Sequence, residues 1–164
     1  KRQINYSKSK EAAEEVAHEC SLLGETPLIV KADIATDEGC KHLIDSAFGK
    51  FNAINILINN AGRTKFADHS NLDALQRDDF ENILALNLNS NYELIKHARP
   101  HLAMNRKSSI VNISSVAGLR GLGSSVAYAA SKGALNSMTL ALSRSLGPDG
   151  IRVCLLYTSD AADD

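Results

Sequence analysis

Short apolar runs alternate along this chain with stretches in which apolar residues return every three or four positions. QINY (Gln3–Tyr6) reads as a strand, after which Ala12, Ala13, Val16, Ala17, Cys20 and Leu23 repeat at helical spacing until Gly24. LIVKAD is the next strand, and Cys40, Leu43, Ile44, Ala47 and Phe48 form a second helical stripe. INILINN is a near-continuous apolar run, the pattern of a strand buried on both faces. One long helix is expected from about Arg77 to Leu102, despite Pro100 near its end. SIVNIS gives another buried strand, Ser124 to Leu146 a further helix halted by GPDG, and IRV opens a new strand. Strand and helix alternating in this way predict an α/β fold, a parallel sheet with helices on both faces. Internal repeats and low-complexity segments are absent. The chain starts inside a strand and breaks off just after another begins, so it is expected to be the interior of a longer protein, with a sheet incomplete at both ends.

Composition narrows the function classes. The chain has 164 residues and a formal net charge of −1, long enough for one domain with a sizeable core. Nothing in that balance suggests a nucleic-acid binder, whose footprint is a strongly basic face. Lys1, Arg2, Lys8 and Lys10 cluster, but Ile4 and Tyr6 interrupt them, as at a solvated strand edge. No run approaches the ~20 apolar residues of a membrane span, and no signal peptide opens the chain, so a cytoplasmic location is expected. Cys20, Cys40 and Cys154 lack metal-type spacing and read as reduced thiols.

Three segments carry candidate chemistry: NNAG after the third strand, NISSVAG after the fourth, and YAASK in the helix that follows. Tyr128 and Lys132 stand four apart, one helical turn on a shared face. A nearby ammonium favours the phenolate and lowers a tyrosine pKa from ~10, which suits a general acid or base. Ser115 lies thirteen residues before Tyr128 at the carboxyl end of a buried strand, where ligands bind in open α/β sheets. Asp68, His69 and Ser70 contain the letters of a triad but are adjacent in a loop and cannot form a relay. His97 and His101 have a metal-capable spacing with no third ligand evident, so packing or surface roles are expected and no metal site is assigned.

NNAG, NISS and Tyr-x-x-x-Lys taken together resemble the short-chain dehydrogenase/reductase family, in its large single-domain group, over nearly all of residues 1–153. The resemblance implies a partial, doubly wound Rossmann-type sheet, a nicotinamide cofactor, and hydride exchange between a carbonyl and a secondary alcohol. It makes Tyr128 the proton donor or acceptor, with Lys132 lowering its pKa and binding the nicotinamide ribose. Ser115 would orient the substrate oxygen, Ser114 being one residue out of the family spacing. Asn87 in LALNLNS matches the helix asparagine that holds a water of the proton relay. Asn60, Ala61 and Gly62 match the segment along the cofactor's adenosine side. Asp33 in KADIA matches the acid that meets the adenine amino group, the alternative being a turn residue at a strand end. A homotetramer is the assembly the family suggests, and the Ala-, Leu- and Met-rich helix from Tyr128 to Leu146 fits a buried interface.

In NAD-binding Rossmann units an acid ending the second strand takes the ribose 2′-hydroxyl. Here NYSKS follows that strand, and Ser7 with Lys8 could hold a 2′-phosphate, which favours NADP(H) over NAD(H). Two departures from the family stand out. The glycine-rich pyrophosphate turn that should precede Lys1 is not in this sequence, and GIRV is not followed by the family's Pro-Gly loop and substrate helices. CLLYTSDAADD, residues 154–164, resembles instead a translated sequencing-library transposon adapter and is expected to be a non-native tail. Its Tyr157, Ser159 and Asp160 carry no weight as site residues. The fragment itself is expected to be inactive, and the parent to be a carbonyl reductase or alcohol dehydrogenase acting on a small molecule. The alternatives are a 3-oxoacyl-carrier-protein reductase and a non-catalytic NADP(H)-binding regulator.

Overall fold

A computed structural model describes residues 1–105 and 107–158 of the chain. The strands are β1 (Gln3–Tyr6), β2 (Leu28–Lys31), β3 (Ile56–Asn59), β4 (Ser108–Ser115) and β5 (Ile151–Thr158). The helices between them are α1 (Lys10–Leu22), α2 (Asp37–Phe51), α3 (Arg77–Leu84), α4 (Ser90–Ala103), α5 (Ala117–Arg120) and α6 (Val126–Leu146). All pairings are parallel: β1 with β2, and β4 between β3 and β5. The fold is thus the α/β arrangement expected, in an incomplete form whose five described strands fall into two sheets.

Local chemistry accounts for the element ends. Thr36 caps α2 by accepting from Gly39 N at 3.0 Å, and Asn52 ends it in the left-handed region at φ 55°. Gln76 and Asp79 form a reciprocal capping box at the start of α3. The long helix expected from Arg77 is continuous in path but contains a π-helical turn, Ala85–Asn89, between α3 and α4. Ser125 Oγ accepts from Tyr128 N at 3.3 Å, so the cap of α6 fixes Tyr128 in its first turn.

The main apolar cluster lies between the sheets and α2 and α4, with Ile44, Leu94, Ala98, Leu102, Ile110 and Ile151 among its buried members. One expectation fails locally. INILINN predicts burial on both faces of β3, yet Ile56 and Ile58 are 64% and 62% exposed while Asn59 turns inward. In an incomplete sheet, one face of this apolar strand is left to solvent. β5 runs past Val153 through Thr158, pairing Cys154 with Val111 and Thr158 with Ser115. Ile151 and Val153 are buried, but Leu156 and Tyr157 are exposed, so burial weakens beyond Val153. Ser159 and Asp160 lie outside the described residues.

Candidate active site

The carboxyl ends of β3 and β4 and the first turns of α6 enclose a cleft of about 440 Å³. Asn60, Gly62, Tyr128 and Lys132 line it, together with Arg63, Phe66, Ser114 and Thr158. Lys132 is only 5% exposed. Its Nζ donates to Ile113 O at 2.7 Å and stands 5.6 Å from the centroid of the Tyr128 ring. The four-residue spacing in the sequence therefore does place both groups on one face, pointing into one cavity.

Ser115 is the last residue of β4 and fully buried, one residue beyond the cleft-lining Ser114. Ser115 Oγ accepts from Ala117 N at 3.1 Å. Ser114 Oγ is differently engaged, donating to Asn136 Oδ1 at 2.6 Å. α5 follows directly, and its Gly118 lies so close to α6 that a Cβ there would stand 2.6 Å from Lys132 C. The two backbones touch at the residue that carries the ammonium.

Asn87 sits fully buried in the π-helical turn. Its Oδ1 accepts from Arg63 N at 2.8 Å, and its Nδ2 donates to Arg63 O at 2.9 Å and to Ser131 Oγ at 3.0 Å. The side chain thus clamps the loop after β3 by both backbone groups of one residue, and ties it to α6. A π turn displaces one residue from the helical ladder, and such turns recur at functional sites. Gly62 faces this clamp: a Cβ would lie 3.3 Å from Asn87 Oδ1 and 4.0 Å from Lys132 Nζ. Gly62, Asn87 and Lys132 therefore converge. Ala61 follows Asn60 in the same exposed segment.

Ser7, Lys8 and Asp33 are not among the residues lining this cleft. They follow β1 and β2 at the strands' carboxyl ends and are exposed. Asp33 Oδ1 accepts from Ala35 N at 3.1 Å, so part of its side chain serves the turn into α2. Asp68, as its spacing requires, bonds only locally among the interactions described, accepting from Ser70 N and Ser70 Oγ at 2.8 and 2.7 Å.

The histidines acquire partners that sequence spacing did not reveal. His97 Nε2 lies 2.9 Å from Asp37 Oδ1, and Lys96 binds both Asp37 and Glu93, in an ion-pair cluster joining α2 to α4. Ligand atoms of Asp37, Glu93 and His97 fall within 4.8 Å of one another, but the Lys96 ammonium already binds both carboxylates. Hydrogen bonds from His97 and Lys96 push the Asp37 carboxyl down to about 2. His101 stacks on Phe48, with ring centroids 4.0 Å apart.

A tyrosine and a lysine lining one cleft at the carboxyl ends of parallel strands, next to a strand-end serine, occupy the place where open α/β sheets bind ligands. The chain belongs to the short chain dehydrogenase family, whose sequence model matches residues 1–160. It is 37% identical over 121 residues to a protein of Streptomyces violaceoruber assigned as ketoacyl reductase 2 of the granaticin polyketide synthase, covering 74% of this chain and 49% of that one. Among solved structures, a protein of Burkholderia xenovorans assigned to the short-chain dehydrogenases/reductases matches with a TM-score of 0.89 and 39% identity, covering 94% of this chain and 64% of that one. A short chain dehydrogenase of Burkholderia cenocepacia in complex with NADP matches with a TM-score of 0.86 and 32% identity, over 94% and 62% of the two chains. The 3-ketoacyl-(acyl-carrier-protein) reductase of Brucella melitensis complexed with NADH matches with a TM-score of 0.85 and 30% identity, over 96% and 64%. The chain thus spans about half the length of that curated relative and under two thirds of each of these structures.

Proposed function

We propose that the whole protein is a carbonyl reductase or alcohol dehydrogenase in which Tyr128 moves the proton, Lys132 tunes it and Ser115 holds the substrate oxygen. The observation carrying this reading is Tyr128 and Lys132 lining one cleft at the end of the strand that bears Ser115. A bound nicotinamide dinucleotide supplies or accepts the hydride. The Tyr128 phenol donates its proton to the carbonyl oxygen during reduction and takes it back during oxidation. The Lys132 ammonium, near the ring, favours the phenolate state. Ser115, whose oxygen already accepts from Ala117 N, donates its hydroxyl proton to the reacting oxygen. Asn87 holds the β3 loop and the π-helical turn from which a relay water would be bound.

The residues present leave room for such a cofactor in the cleft. Gly62 leaves open the space between Asn87 and Lys132 that any side chain would enter. Asn60, Ala61 and Gly62 would lie along the adenosine side, Asp33 would meet the adenine amino group through what its turn leaves available, and Lys132 would hold the ribose. Ser7 and Lys8 favour NADP(H), with Lys8 as a point charge beside a 2′-phosphate; solved relatives bind NADP in one case and NADH in another. Comparing kcat/KM for NADPH and NADH before and after Lys8→Glu tests this. A preference for NADPH that Lys8→Glu abolishes supports the reading, and an unchanged ratio refutes it.

The similarity to ketoacyl reductases favours a 3-oxoacyl thioester as the second reading for the substrate. A panel of carbonyls followed through loss of reduced-nicotinamide absorbance separates that reading from other ketones. A binding regulator without turnover would need no acid, so the Tyr128 and Ser115 placement argues against it. Exposed Tyr92 on α4 and Leu140 on α6 support a homotetramer built through these helices, which light scattering of the whole protein tests. No described helix is long and apolar enough to cross a membrane, consistent with the cytoplasmic location we propose. We hold residues 1–153 to be the protein's own partial Rossmann domain and 154–164 to be adapter-derived. Pairing of β5 beyond Val153 engages backbone groups that any sequence offers. Reading the gene through codon 154 decides between them.

A further inference from the structure

Helix α6 meets β4 through polar contacts where an apolar stripe would be the default. Three consecutive residues of β4 each hold one residue of the helix. Asn112 Nδ2 donates to Thr139 Oγ1 at 2.8 Å, Ile113 O accepts from Lys132 Nζ at 2.7 Å, and Ser114 Oγ donates to Asn136 Oδ1 at 2.6 Å. Asn59, the in-register partner of Asn112 on β3, donates its Nδ2 to Asn112 Oδ1 at 2.8 Å. Thr139 Oγ1 passes the chain on by donating to Leu135 O at 2.8 Å. Turning one amide over alone would set oxygen against oxygen or NH₂ against NH₂, and Asn59 Oδ1 is buried with no hydrogen-bond partner among the described residues.

Asn59, Asn112, Ser114 and Thr139 are all buried, at 4%, 0%, 1% and 3% exposure. Among the described residues, α6 gives the main apolar cluster only Leu146, with Leu142 packed against it. The half of the helix bearing Tyr128 and Lys132 lies outside that cluster, with Ala127, Ala129 and Leu135 buried, Gly118 of α5 close against Lys132, and the β4 hydrogen bonds the directed contacts to the sheet. An apolar contact tolerates a small slide, whereas a directed buried hydrogen bond cannot be lost without leaving a group unpaired.

We propose that Asn112 and Thr139, braced by Asn59, are positioning residues that set where α6 stands along β4. They thereby set where Tyr128 and Lys132 stand relative to Ser115 and Ile113 O. The inference rests on the catalytic reading of Tyr128, Lys132 and Ser115 given above. Lys132 is the sensitive point: its stem belongs to α6, but its ammonium is held by the Ile113 carbonyl of β4. A slip between the two elements changes the distance from that ammonium to the Tyr128 oxygen even though both residues share a helix.

Thr139→Val removes the hydroxyl and keeps the branched shape, while Thr139→Ser keeps the hydroxyl. With carbon-13 at tyrosine Cζ in this chain, the Tyr128 titration midpoint is read directly, its resonance assigned by Tyr128→Phe. Positioning predicts a midpoint displaced by about half a unit or more in Thr139→Val and restored in Thr139→Ser. An unmoved midpoint, or the same displacement in both variants, overturns the proposal. If Thr139→Val fails to fold, Ser114→Ala breaks the neighbouring rung at no cost in branched volume, and the same displacement is expected and the same null result overturns it. In the whole protein, Thr139→Val should lower kcat about tenfold, Thr139→Ser recovering it. A whole protein that reduces no carbonyl refutes the catalytic reading, and the titration alone then decides the positioning one.

Discussion

Gly118→Ala is the sharpest structural perturbation that the α5–α6 contact offers. The added Cβ would stand 2.6 Å from Lys132 C, 2.7 Å from Gly133 N and 2.9 Å from Lys132 Cβ. Unstrained carbon contacts need about 3.5–4.0 Å, so α5 and α6 must part by about 1 Å at the residue carrying the ammonium. All three atoms belong to the backbone or its first side-chain carbon, so no flexible group can yield. Overpacking of this kind costs about 1–3 kcal/mol, which for a domain of this size lowers Tm by roughly 2–12 °C. Two other glycines calibrate the effect. Gly133→Ala, whose Cβ would meet only Gly118 O at 3.3 Å, should fall between. Gly49→Ala, exposed within α2 with nothing inside 4 Å, should stabilise by up to about 1 kcal/mol from helix propensity alone. Denaturant unfolding of the three variants by far-ultraviolet circular dichroism gives the order. Gly118→Ala as stable as the parent would refute the close-contact argument, and Gly49→Ala less stable than the parent would refute the propensity calibration.

Three further outcomes follow from particular contacts. Asn87→Ala strands both backbone groups of Arg63, so it should cost about 1–3 kcal/mol and speed hydrogen exchange at the Arg63 amide; unchanged exchange there would contradict the clamp. Asp37, pushed down to about 2 by its hydrogen bonds from His97 and Lys96, is charged in the folded chain at pH values where the unfolded chain has taken up a proton. Its stabilisation is therefore complete above about pH 4 and lost as pH falls toward 2, so the Tm gap between the parent and Asp37→Asn should close over that window, and a constant gap would contradict it. Burial, with Asp37 and Glu93 adding to it, pushes the Cys40 thiol up to about 11, whereas Cys154 is exposed. Iodoacetamide on the folded chain should label Cys154 and spare Cys40 until denaturant is added, and early labelling of Cys40 would show that its enclosure is wrong.

Most of the fold was legible because short apolar runs give way to an apolar period of nearly four at the strand–helix boundaries. QINY and LIVKAD contain β1 and β2, SIVNIS and IRV lie within the longer β4 and β5, and Tyr128, Lys132 and Gly62 meet at one cleft as their motifs suggested. Features that depend on long-range partners were not legible. Asp37 joins His97 across 60 positions, and nothing in the local spacing of either announces it. The one-turn helix α5 is too short to show a period. INILINN has the composition of a doubly buried strand, but exposure depends on what covers it, not on its own letters. The π-helical turn gave a partial signal, since Asn is a poor helix residue and three stand within Asn87–Asn91. The polar seating of α6 left a sharper trace that sequence reading passed over. Asn59 and Asn112 each interrupt an otherwise apolar run, and such a residue in a buried strand must find a partner.

The measurement closest to the central claim compares the whole protein with its Tyr128→Phe variant, following both binding of NADPH and reduction of a carbonyl substrate. Loss of the phenolic hydroxyl removes the proton donor while leaving the ring and Lys132 in the cleft. Cofactor affinity should stay within about twofold while kcat falls by about 10²–10⁴, the span of a general acid. Turnover retained in Tyr128→Phe would contradict the account.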